Sequence, residues 1–180
     1  MIGQEYLSTV IKRVKYYKDL ADKTFAQLEE GDFHYQPDAE SNSIAQIIQH
    51  MAGNMLSRWT NFLTEDGEKE WRRRDDEFAI HPYSKQALLG IWEKGWDCYL
   101  EALESLRDTD LMTTIYIRNE PLSAIDAINR QLAHYPYHVG QIVYLGRMIR
   151  KQSWKSLSIP RGDSHKYNQS EGIKDPAKKY

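Results

Sequence analysis

The chain has 180 residues, enough for one domain with its own core. Its 24 Lys and Arg nearly balance 26 Asp and Glu, a net charge of −2 that withholds the basic surface nucleic-acid binding needs. At 41% hydrophobic and 28% charged residues it is not a disordered chain, and its single cysteine, Cys98, excludes an intrachain disulfide framework or a Cys-rich zinc site.

Four segments carry the three-and-four spacing of amphipathic helices. The first runs from Gln4 to Glu30 through Leu7, Val10, Val14, Ala21, Phe25 and Leu28, with Gly31 expected to stop it. Ser43 followed by Gln46 forms a capping box and opens a second helix to about Thr64. Its apolar stripe is Ile44, Ile48, Met51, Met55, Trp59 and Phe62. Residues 65–83 form a long charged connection, and its Trp71, Phe78 and Ile80 are expected to pack it onto the helices. Ser84 caps a third helix reaching about Arg107, with Cys98 beside its stripe as a small boundary thiol. TTIYIRNEP is β-branched and aromatic, the signature of a strand or hairpin arm. Pro121 suits the first turn of a fourth helix that runs to Lys151.

From residue 153 the periodicity fades. Trp154, Leu157 and Ile159 can anchor the first part of this extension, and the last dozen residues are expected to be mobile. The fold expected is therefore all-α: a four-helix bundle over 1–152 and a C-terminal extension over 153–180. No apolar run approaches the roughly 20 residues of a membrane span. MIGQEYLSTVIKRVKYY has no apolar signal core, so a cytoplasmic protein without a membrane partner is expected.

Histidine is the one nitrogen or sulfur ligand present in number. His134 and His138 stand four apart in HYPYHVGQIVYLG, about 40° of rotation and about 6 Å of rise on a helix, so both rings can face one ion. Tyr135 follows His134 where a zinc protease needs its Glu, so that mechanism is excluded. Pro136 lies between them; either the helix runs through it with a kink, or it begins there and leaves His134 in a loop. On the second helix His50, Asn54 and Arg58 follow at steps of four and drift toward the apolar stripe. They read either as a solvated edge or as a polar pocket wall with His50 as a ligand. His34, His81 and His165 read as surface residues. Arg72, Arg73 and Arg74 read as a solvated face or as the closure of an anionic pocket.

SIAQIIQHMAGNM and HYPYHVGQIVYLG resemble the second and fourth helices of the DinB/YfiT-like family of metal-dependent enzymes. The likeness covers about residues 1–152. HMAGNMLSRWTNFLTEDGEKEWRRRDDEF and SWKSLSIPRGDSHKYN resemble a subgroup of that family whose activity is not established. The resemblance implies a bundle of up-down-down-up order, a homodimer, and His50, His134 and His138 as the three ligands of a divalent ion, zinc or nickel foremost. Three neutral ligands leave coordination positions open and the ion's charge undiminished.

The activity implied is that of a transferase working with a low-molecular-weight thiol on a small-molecule substrate. A metal-dependent hydrolase and a non-enzymatic, stress-related binding module are the alternatives. Asn54, Arg58 and Gln141 are the expected pocket residues, for orienting ligands or attracting an anionic group. No residue presents itself as the catalytic base.

Overall fold

A computed structural model describes residues 2–172 and 174–180; Met1 and Ile173 lie outside the described residues. The chain is mostly helical, with one small sheet. Its long helices are α1 (Ile2–Phe25), α2 (Ile44–Trp59), α3 (Lys85–Ser105) and α4 (Ala124–Arg150). Strands β1 (Thr114–Ile117) and β2 (Glu120–Ser123) precede α4, and a short α5 (Ser164–Gln169) lies in the extension. Among the described residues no helix is long and apolar enough to cross a membrane.

The helices share one core. α2 packs most closely on α3 and α1 on α4, with further contacts between α1 and α3 and between α2 and α4. Aromatic rings fill its centre. Trp92, Trp96, Tyr99 and Tyr135 are fully buried, and Tyr99 meets Trp59 and Tyr135 at centroid separations of 4.6 and 5.0 Å. Such edge-on and tilted contacts add to the stabilisation from burial itself.

Several boundaries differ from the expected ones, each for a local reason. α1 stops at Phe25, not Glu30. There the amides of Gln27 and Leu28 turn to the carbonyls of Thr24 and Phe25 at 2.9 and 3.2 Å, tightening the last turn. Gly31 does not end a helix; it lies inside a 3-10 turn over Glu30–His34. The Ser43–Gln46 capping box opens α2 as expected, but α2 ends at Trp59, where Thr60 becomes extended and Asn61 takes φ 51°. α3 starts on the Ser84 cap and ends at Ser105, short of Arg107.

The helix-breaking segment is a two-stranded antiparallel hairpin, so the chain is not purely α. Arg118 and Asn119 turn it with φ of 57° and 63°, the sign a tight hairpin turn requires. Pro121 belongs to β2, paired with Tyr116, and not to the first turn of α4. A strand of a two-stranded sheet tolerates the missing amide. Ser123 supplies the cap of α4 instead, accepting from the Asp126 amide.

In the extension Trp154 packs beside Gly146, and Lys155 donates its amide to Gln27 Oε1 at 2.7 Å. Arg13 of α1 pairs with Asp175.

The α2–α3 seam is the tightest helix contact relevant to the site. A Cβ built on Gly95 would lie 2.8 Å from Ala52 Cα and 3.1 Å from its Cβ. Backbone cannot yield there as a flexible side chain can. Gly95→Ala should therefore lower stability by about 1–3 kcal/mol in spite of its better helix propensity. A chemical-denaturation midpoint at or above that of the native chain would contradict this packing.

Candidate metal centre

α2 carries a polar line opposite its apolar stripe, and that line holds the 65–83 connection. Gln46 Nε2 donates to the Phe78 carbonyl at 2.6 Å, and Ser57 Oγ donates to the Gly67 carbonyl at 2.8 Å. Arg58 donates to the same Gly67 carbonyl and pairs with Glu68 at 2.8 Å. The connection is thus docked by polar groups, with Lys69 and Glu77 buried, while Trp71 (57% exposed) and Ile80 (77%) face outward. The expected apolar anchoring is corrected accordingly; of its three residues only Phe78 packs on the site, stacked on His50 with centroids 4.8 Å apart. The solvated reading of Arg72–Arg74 splits. Arg73 and Arg74 are exposed, while the Arg72 side chain is 2% exposed and reaches Glu77 at 2.7 Å.

The same docking brings three histidines together. His50 is buried, so the solvated-edge reading of His50, Asn54 and Arg58 does not hold: these residues are only 6, 6 and 5% exposed. α4 runs unbroken through Pro136, which puts His134 and His138 on one helix. His134 Nε2 lies 3.4 Å from His50 Nε2 and 3.0 Å from His138 Nε2. One nitrogen from each of the three falls within 4.8 Å of the others, so the group can hold a metal ion.

The far nitrogen of each ring has its own oxygen partner. His50 Nδ1 meets Glu77 Oε2 at 3.0 Å, His134 Nδ1 meets Gln131 Oε1 at 3.0 Å, and His138 Nδ1 meets Gln141 Oε1 at 2.8 Å. A carboxylate and two amide oxygens accept, so each ring donates through Nδ1–H and is left with a bare lone pair on Nε2. In that tautomer three Nε2 lone pairs converge on one another. That arrangement repels itself unless a cation fills it. It is the orientation that outer hydrogen bonds impose on metal-binding imidazoles. The two separations from His134, 3.4 and 3.0 Å, are close to the about 3.3 Å between nitrogens that lie about 2.0–2.1 Å from a tetrahedral metal.

Electrostatics keep the rings available. Burial lowers His134 to about 3, and the nearby His138, His50, Arg130 and Arg72 push the same way. Burial also lowers His138, although the bond to Gln141 opposes it. Both rings are neutral at ordinary pH. Burial alone would raise the Glu77 carboxyl, but its bonds to His50 and Arg72 outweigh that and hold it below the usual carboxylate range.

The residues expected to line the pocket go to different places. Gln141 joins the cluster through His138. Asn54 accepts from the buried Tyr135 hydroxyl at 2.9 Å, which also receives the Trp59 indole at 3.0 Å; this pins the residue next to His134. Arg58 is turned to Gly67 and Glu68. Gln131 and Glu77 were missing from the expected site, and Arg72 was expected there only as one reading of the Arg72–Arg74 run. Gln131 had a signal, three residues before His134 as Gln141 is three after His138. Glu77 had none, because it comes from an irregular segment.

The sequence matches the family model described as "Protein of unknown function (DUF1572)" over residues 1–163. No curated protein matches it.

Glu77 sits in a recess beside Gly53, where a Cβ would lie 2.2 Å from its Oε1 and force the carboxylate to shift. Glu77→Ala strips a buried guanidinium and a buried imidazole of their shared partner, and should cost about 3–5 kcal/mol. Gly53→Ala should displace the same carboxylate, so the double variant should lose less than the two single losses together. Additive losses in chemical denaturation would show that the two residues act separately.

Proposed function

The chain belongs to the DUF1572 family, which is DinB/YfiT-like, and from that premise we propose that it is a metal-dependent enzyme whose ion sits on His50, His134 and His138. The observation that carries this reading is the convergence of three histidine rings, each with an oxygen partner on its Nδ1. A closed structural site would want a fourth protein ligand. Here no further His, Cys, Asp or Glu joins the group among the described residues, and His134 and His138 are only partly buried. Imidazole nitrogens suit zinc or nickel.

Within this reading the reaction is transfer of a small thiol to a small-molecule electrophile. A divalent ion, when bound, supplies positive charge that favours the thiolate over the thiol. The side chains favour this over hydrolysis. Hydrolysis asks for a free proton acceptor, and Glu77, the carboxylate against His50, has its oxygens engaged by His50 and Arg72. Gln141 keeps a place in the pocket wall, where it orients His138. Asn54 and Arg58 support the site from behind, through Tyr135 and the 65–83 connection.

Metal analysis of the purified protein should find one divalent ion per chain, and His138→Ala should lose most of it. Equal metal in both would remove the ligand assignment. With the ion present, a reactive electrophile should be conjugated by at least one of glutathione, cysteine and coenzyme A at a rate that His138→Ala abolishes. Conjugation at the same rate in His138→Ala would argue against thiol transfer at this site.

The up-down-down-up order, a homodimer and a cytoplasmic setting complete the proposal. Pairing of α1 with α4 and of α2 with α3 agrees with that order. A free Cys98 suits a reducing compartment. Tyr137 stands 62% exposed on α4 between the two histidines, an apolar surface that a second copy can cover. Light scattering at micromolar concentration should give twice the chain mass of 21.2 kDa; a single chain mass would refute the dimer.

A further inference from the structure

A groove of about 430 Å³ lies along the α2–α4 seam, a volume within the usual ligand-pocket range of about 300–1,000 Å³. Gln141, whose Oε1 holds His138, lines one end. Ile47, Leu145 and Met148 also line it, with Tyr144 exposed at the rim. Ile47 precedes His50 by one turn, and the loop carrying Glu40 comes before that. Glu40 thus lines the groove from the loop before α2, and Gln141 lines it from α4.

Charge distinguishes this groove. No Lys, Arg or His lines it, and Glu40 is the one carboxylate among its lining residues. Glu40 is exposed and forms no ion pair among the described residues. Outside the groove, Arg72 pairs with Glu77 and Glu68, and Arg58 with Glu68 and the Gly67 carbonyl. An anionic substrate group would find nothing here to pair with and one carboxylate to repel it.

We propose that the groove binds an elongated apolar amine, with its ammonium group at Glu40, its hydrocarbon body on Ile47, Leu145 and Met148, and its far end toward Gln141 and the histidines. Resting on the reading of the cluster as a reaction centre, this names the class of substrate that the centre receives. The apolar body supplies the binding energy in proportion to the area it covers, and Glu40 supplies the preference for charge.

The test is calorimetric titration of metal-free protein at neutral pH with octylamine, octanol and octanoate. Octylamine should bind about tenfold more tightly than octanoate, with octanol between them, and the spread should narrow in high salt. Glu40→Lys changes an exposed residue and should reverse the order. Met148→Trp should fill the groove and weaken all three, with its helical circular dichroism unchanged. Octanoate binding as tightly as octylamine, an unchanged order in Glu40→Lys, or no binding of any probe would overturn the proposal. Because no metal is present, such a failure leaves the ligand assignment to be judged on metal content alone.

Discussion

A buried carboxylate is the hinge on which the arrangement of this protein turns. Glu77 receives His50 on one oxygen and Arg72 on both, at 2.7–3.0 Å, inside a recess opened by Gly53. A buried ionic group is tolerated only when its partners are complete, since an unpaired charge in such a place costs several kcal/mol. Glu77 meets that condition from two directions at once. It ties the irregular 65–83 connection to α2, and it makes His50 present Nε2 to α4. Docking of the connection and orientation of a candidate ligand are thus one event.

The remaining histidines are set by simpler means. His134 and His138 lie on a helix packed into the core by Tyr135 and Val139, and each is turned by a glutamine three residues away. Helix geometry brings those pairs together without tertiary help. The cluster therefore joins a rigid half on α4 with a half on α2 whose orientation depends on the connection. A change in residues 65–83 reaches the site through Glu77, not through α4.

Charge is distributed in the same economical way. Arg58, Arg72 and Arg118 converge on Glu68, and Arg72 continues to Glu77. This network binds the hairpin turn, the connection and α2 to one another, and it leaves the cluster beside neutralised arginines. The groove along the α2–α4 seam, by contrast, is lined by no Lys, Arg or His and by one carboxylate, Glu40.

Much of this was legible in the residues. Stripes such as Leu7–Val10–Val14 and Met51–Met55–Trp59 specify which helix faces are buried, because helical spacing is a local property. The Ser43–Gln46 and Ser84 caps mark helix starts for the same reason, and the spacing of His134 and His138 places both on one face. Helix ends were less legible: α1 passes over Gly31 and ends at Phe25, where backbone hydrogen bonds switch partners without a residue type to announce it. Pro121 suits a strand of a two-stranded hairpin as well as a first helical turn, and pairing with Tyr116 decided between them. Only the tertiary structure could recruit Glu77 and Arg72. Their contacts join an irregular segment to a helix 27 residues away in the case of His50 and Glu77, and no periodicity relates residues across such a loop. It also decided that His50, Asn54 and Arg58 are buried. A polar line at the edge of a stripe meets water or protein according to what the chain folds over it, and here the 65–83 connection covers it.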